Sequence, residues 1–274
     1  MLGPVHPQAR LSLGELRRQS RSARDAQMEL AKRLSWRIYS HLGMPFLKGA
    51  LWIGLTPNQL TWLSILVGLA AAALLAGGGY ATGIVAAVLL QAMVAMDYAD
   101  GALARLTGQT SLNGLYLASI AFDIVGPLLF FAIAWGVHRR GGSEWYLLAG
   151  FGGAMAYLFN RHFYNAKIVM AVIGDKTGLA RALTNSAGEP PAGGGAGAGG
   201  RPRSWRAALL AVLDFPWPMR IFVNVLTVAA LADRMAWLSI FYGIAYPVAV
   251  ILVLRKEARS GLDWVYRWAG EVKP

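Results

Sequence analysis

Between Lys48 and Asp97 the chain carries no charged side chain. A soluble domain cannot run so far without charge, because its loops and outer faces must be solvated. Crossing a bilayer core takes about 20 apolar residues, so this stretch holds two crossings, divided by the glycines at 77–79. The first opens at LTPNQLT, residues 55–61, where Thr56 can cap a helix and Pro57 suits its first turn. The second runs from about Thr82 into the acidic stretch that follows. Further apolar runs extend from near Gly114 to His138, from about Trp145 to Ile173, from after Pro218 to before Asp233, and from about Ala236 to Leu254. The expected fold is all-α: a polytopic integral membrane protein with about six transmembrane helices, preceded by a cytoplasmic amphipathic helix. A composition 56% hydrophobic and 15% charged agrees.

The net charge of +12 then reads as topology and contact with anionic membrane lipid, and no nucleic-acid partner is expected. Nine Lys and Arg precede the first span, and Gly77–Tyr80 has none. Arg105, the segment after the fourth span, and Arg255, Lys256 and Arg259 continue the alternation. The positive-inside rule puts both termini in the cytoplasm, and the expected location is a bacterial inner membrane. Arg139 and Arg140 count against this, with Glu144 as a partial offset. The chain has no cysteine, which excludes disulfides and thiolate metal sites, and it opens on no signal-peptide pattern.

Residues 1–48 form a basic N-terminal segment. Ser12 with Glu15 resembles a capping box. Leu30, Leu34, Ile38 and Leu42 recur every four residues, so a basic helix is expected on the membrane surface, with Trp36 and Tyr39 at the headgroups and Gly43 and Pro45 ending it. A soluble helix packed on a partner is the other reading. Residues 49–259 form the membrane domain, interrupted by a Gly/Pro-rich linker at 186–203 and a surface helix within 203–220. Residues 260–274 are a tail.

Chemistry concentrates in MDYADGALARLTGQTSLNGLYLASIAFD. Asp97 and Asp100 stand three residues apart at the end of an apolar run, so on a helix they share a face. Charges in a membrane segment are costly and by default functional; a solvated helix end is the bland alternative. Two repelling carboxylates favour a cation between them, and oxygen ligands select Mg²⁺ or Mn²⁺. Gly101 and Ala104 keep that face bare, and Arg105 at its end can pair with a phosphate.

DYADGALAR, then eight residues and Gly114, resembles the signature of the CDP-alcohol phosphotransferase (phosphatidyltransferase) family: D-x-x-D-G-x-x-A-R, seven or eight residues, then G-x-x-x-D-x-x-x-D. The first half matches at every fixed position from Asp97 to Arg105. LTPNQLT resembles the segment that opens the first span of that family. The resemblance implies a membrane transferase that moves a phospho-alcohol group from a CDP-linked donor to a hydroxyl acceptor and releases CMP, in phospholipid biosynthesis. It implies Mg²⁺ or Mn²⁺ on Asp97, Asp100 and Asp123, with Asp123 the general base. Asn58, Thr61, Gly101, Ala104 and Arg105 would meet the nucleotide and its phosphates. Ser119, Arg161 and Lys167 are candidates for the acceptor. A homodimer is also a family habit.

The second half departs. The remaining acids belong at 118 and 122, where this chain has Ala118 and Phe122. Asp123 comes one residue late, about 100° away on a straight helix. Either half of the metal site is missing, or an extra loop residue or a π-bulge brings Ser119 and Asp123 into those roles. A catalytically silent relative that binds lipid or nucleotide, or acts as a scaffold, is therefore the alternative function. A transporter fits less well, because the acids gather at one membrane face. Arg161 and Lys167, beside Asn160 and His162, also read as a snorkelling cationic cluster. Asn224 reads as an interhelical hydrogen bond.

Overall fold

The computed structural model describes residues 7–20, 30–174 and 219–260. A short 3-10 turn, Pro7–Arg10, precedes helices α1 (Leu13–Ser20), α2 (Leu30–Ile53), α3 (Pro57–Ala76), α4 (Tyr80–Thr107), α5 (Leu112–Arg139), α6 (Trp145–Gly174), α7 (Met219–Leu231) and α8 (Met235–Ser260). No strand occurs among the described residues. The chain is an all-α integral membrane protein. The linker 186–203, most of the surface helix expected within 203–220, and the tail from 261 lie outside the described residues.

Helices stand at all six expected places. Four are long and apolar enough to cross a membrane: α3, α4, α5 and residues Met235–Arg255 of α8. The described part of helix α7, 13 residues, rises about 20 Å. Helix α6 is continuous over 30 residues, but its side chains beyond Asn165 lie outside the described residues.

Local rules set the helix starts. Ser12 and Glu15 form the expected capping box, with the Glu15 carboxylate accepting from the Ser12 backbone N–H at 2.9 Å. Thr56 and Gln59 form another at the head of α3, with Pro57 in its first turn. Ser111 caps α5 by accepting from the Gly114 N–H at 3.0 Å. Gly108 ends α4 in the left-handed region at φ 69°, a conformation a Cβ disfavours.

The N-terminal expectation is corrected. Helix α2 does not stop at Gly43 and Pro45 but continues to Ile53. Gly43 is a point of close approach: a Cβ there would lie 2.7 Å from Tyr98 Cδ1 and 2.8 Å from Ala95 O on α4. The face carrying Tyr39, Ser40, Met44, Leu47, Ala50 and Leu51 is buried, while Ile38 and Leu42 remain exposed. Tyr39 is thus a core residue and not a headgroup anchor. Its hydroxyl lies 2.7 Å from Gln91 Oε1 on α4 and 2.8 Å from Asn224 Oδ1 on α7. Gln91 Nε2 donates to Asn224 Oδ1 at 3.1 Å and to Thr227 Oγ1 at 2.9 Å. Asn224 is the interhelical link its position suggested. Burial in an apolar surround makes each of these polar groups need the others.

Among the described residues, 7–154 and 219–243 form one compact unit, and 155–174 and 244–260 a second. In the first, α3 packs on α4 and α5, and α4 also packs on α2 and α7. Gly68 of α3 lets Met93 and Val125 close in: a Cβ there would meet their side chains at 2.7 and 2.9 Å. Phe130, Phe222 and Tyr242 join α5, α7 and the start of α8, with ring centroids 4.8–5.7 Å apart. In the second unit, Tyr157 and Tyr246 pack with ring centroids 6.1 Å apart.

Candidate functional site

Helix α4 spans 28 residues, so it is longer than a bilayer core is thick. Counted from Tyr80, Asp97 stands about 26 Å along the axis and Asp100 about 30 Å. Both carboxylates therefore lie toward the C-terminal end of α4, beside the start of α3. Asp100 is buried, with 7% of its surface exposed. Asp97 is half-buried, about 60° further round the helix.

Asp100 faces α3. Thr61 Oγ1 donates to Asp100 Oδ2 at 2.6 Å, and Thr61 itself is 3% exposed. One turn back, Thr56, Pro57 and Asn58 line a cavity of about 390 Å³, closed on its other side by Gln109, Thr110 and Ser111 of the α4–α5 connection. Its lining residues, Pro57 apart, carry hydroxyl or amide groups. The three connection residues were not singled out from sequence; the Ser111–Gly114 cap was the available signal. Arg105 is exposed and reaches back along α4, its Nη1 3.4 Å from where a Gly101 Cβ would stand. A cation therefore lies on the same stripe as the two carboxylates, above the bare surface of Gly101 and Ala104.

Helix α5 closes the region through Gly114, whose Cβ position is 3.4 Å from Asn58 Oδ1. From Leu112 to Arg139 it is α-helical throughout, so the π-bulge is absent. Gly114, Ala121 and Val125 then share one face, and the latter two are buried. Asp123 lies about 180° from Gly114 on that helix, half-buried, with Ser119 one turn before it. Pro127 stands four residues beyond Asp123 and has no N–H for the Asp123 carbonyl. Among the described residues, no three His, Cys, Asp or Glu side chains gather into a group that could hold a metal ion. The geometry offers a pair, Asp97 and Asp100.

Arg161, half-buried on α6, belongs to the second unit, and the Lys167 side chain lies outside the described residues. At the opposite end of the first unit, Arg140 Nη1 and Nη2 donate to the two Asp233 carboxylate oxygens at 2.7 and 3.2 Å. Arg140 is thus paired with Asp233, from the connection between α7 and α8. The hydrogen bond from Arg140 holds the Asp233 carboxyl below the usual carboxylate range.

Residues 54–184 match the family model described as CDP-alcohol phosphatidyltransferase. Comparison with curated proteins gave no match.

Proposed function

The chain belongs to the CDP-alcohol phosphatidyltransferase family through residues 54–184, a family of phosphotransferases of phospholipid synthesis, and we propose that it transfers a phospho-alcohol group from a CDP-linked donor to a hydroxyl acceptor with release of CMP. The observation that carries this is the Asp97–Asp100 pair at one end of α4, with Asp100 fixed by Thr61 and Arg105 reaching back over Gly101.

The family generally depends on a divalent cation. The residues fit one: Mg²⁺ and Mn²⁺ take hard oxygen donors and are often held by one or two carboxylates together with substrate phosphates. Asp97 and Asp100 are those carboxylates. A bound divalent ion would neutralise charge on the phosphate oxygens. Arg105 adds a fixed positive charge beside the donor diphosphate. Gly101 and Ala104 leave room for the nucleotide, and Asn58 lines the cavity at the head of α3. The family resemblance makes Asp123, with Ser119 on its side of α5, the candidate to take the proton of the acceptor hydroxyl, although it stands about 180° from the Gly114 face that meets Asn58. The acceptor oxygen bonds to the phosphorus next to the donor alcohol, and the bond from that phosphorus to CMP breaks. Arg161 and Lys167 are assigned to acceptor or lipid phosphate. In this reading the active end faces the cytoplasm, from which a substrate made there could reach it.

A second reading is a family member that binds nucleotide or lipid without turnover. Ala118 and Phe122 at the positions of two acids, on a helix with no bulge, favour it. Both readings meet one assay: CMP release in lipid nanodiscs with Mg²⁺ or Mn²⁺, across a panel of CDP-linked donors and alcohols. Transfer predicts divalent-dependent release that Asp100→Asn lowers by more than the roughly 100-fold upper end for losing an outer-shell partner. No release from any donor, with nucleotide binding intact, leaves the second reading.

A further inference from the structure

We infer that Thr61 is a positioning residue for the Asp100 carboxylate, and that its hydroxyl acts on the metal and not on the nucleotide. The inference rests on the transferase reading and adds to it a role for α3.

A threonine inside a helix ordinarily donates to the carbonyl four residues back. Here that acceptor, Pro57 O, lies 3.1 Å from Thr61 Oγ1, while Asp100 Oδ2 lies at 2.6 Å. Neither an ionised carboxylate nor a carbonyl can donate, and the hydroxyl has one proton. The shorter contact, in the range of charge-assisted O–H···O⁻ bonds, takes it. Both partners are buried, so no bulk water stands in for the bond if it is lost. The bond fixes the carboxylate of Asp100 in one rotamer.

Thr61 is itself anchored. Its carbonyl accepts from Ser64 Oγ at 2.7 Å, and the capping box at Thr56 and Gln59 sets the helix one turn earlier. Gly68 lets α3 and α4 close together. The capped head of α3 is thus the rigid body against which one metal-binding carboxylate of α4 is aimed. Carboxylate ligands held by such outer partners lose about 10–100-fold in metal affinity when the partner is removed.

The test is Mn²⁺ binding to the full chain in nanodiscs, with CMP present, read by the loss of the free-Mn²⁺ spin resonance signal. Thr61→Val keeps the side-chain shape and removes the hydroxyl; it should weaken Mn²⁺ binding by about 10–100-fold. Thr61→Ser restores the donor and should bind like the wild type. In an Asp100→Asn background, Thr61→Val should add nothing. Thr61→Ala serves if the valine variant fails to fold. Wild-type Mn²⁺ affinity in the valine or alanine variant overturns the inference alone, as does a serine variant as weak as valine. Wild-type protein whose Mn²⁺ binding is absent or indifferent to Asp100→Asn overturns the metal site itself, and the inference with it.

Discussion

Gly43 and Gly49 lie on the same helix, and alanine should stabilise at Gly49 but not at Gly43. Glycine inside a helix costs about 0.5–1 kcal/mol relative to alanine, so replacement at an open site stabilises by that amount. Gly49 is such a site: a Cβ there meets nothing within 4 Å. At Gly43 a Cβ would come within 2.7 Å of Tyr98 Cδ1 and 2.8 Å of Ala95 O. The tyrosine ring can shift, but Ala95 O is the backbone of α4, two residues before Asp97. Forcing a methyl into such a contact costs about 1–3 kcal/mol, which cancels or exceeds the propensity gain. Gly43→Ala should therefore be less stable than Gly49→Ala by about 1–3 kcal/mol. Thermal unfolding in nanodiscs, followed by tryptophan fluorescence, measures the difference. Gly43→Ala should also slow CMP release by moving the segment that carries Asp97, while Gly49→Ala leaves it unchanged. Equal stabilisation by both would mean that α2 does not pack on α4 as described and lies free on the membrane surface.

If Asp123 accepts the acceptor proton, Asp123→Asn should lower CMP release by roughly 10²–10⁴-fold with nucleotide binding unchanged; an unaltered rate removes it from the mechanism. Tyr39→Phe takes one hydroxyl from the α2–α4–α7 network and should cost about 1 kcal/mol in the same unfolding measurement, with no change if the network is not formed. Asp233 has φ 52°, which asparagine tolerates, so Asp233→Asn isolates the charge. Its folded pKa is depressed by the hydrogen bond from Arg140. The carboxylate therefore adds stability above its unfolded pKa, about 4, and that stability is lost as pH falls through the lower folded value. The wild type should melt slightly above Asp233→Asn at pH 7, and the gap should close in strong acid and in high salt. A gap independent of pH would refute the assignment.

The amino-acid order alone determined the class of protein, its helices and the stripe on α4. The long uncharged stretch before Asp97 leaves the backbone no solvent in a bilayer but its own hydrogen bonds, so helices follow. Caps at Ser12 and Thr56 are local chemistry and were readable for that reason. The face shared by Asp97 and Asp100 follows from helical pitch. Packing decided the rest. Gly43 and Pro45 spell a helix end locally, yet the closeness of α4 turns Gly43 into a contact point within a continuous helix. Tyr39 is an interfacial residue by type and a core residue by partner. Glu144 is near Arg140 in sequence, but Asp233, from another helix connection, holds it. Thr61 pairs with Asp100 across 39 positions, a distance at which pitch and propensity carry no information. Interactions within a turn or two are written in the order of residues, whereas those between helices depend on which faces meet, and only the assembled bundle sets that.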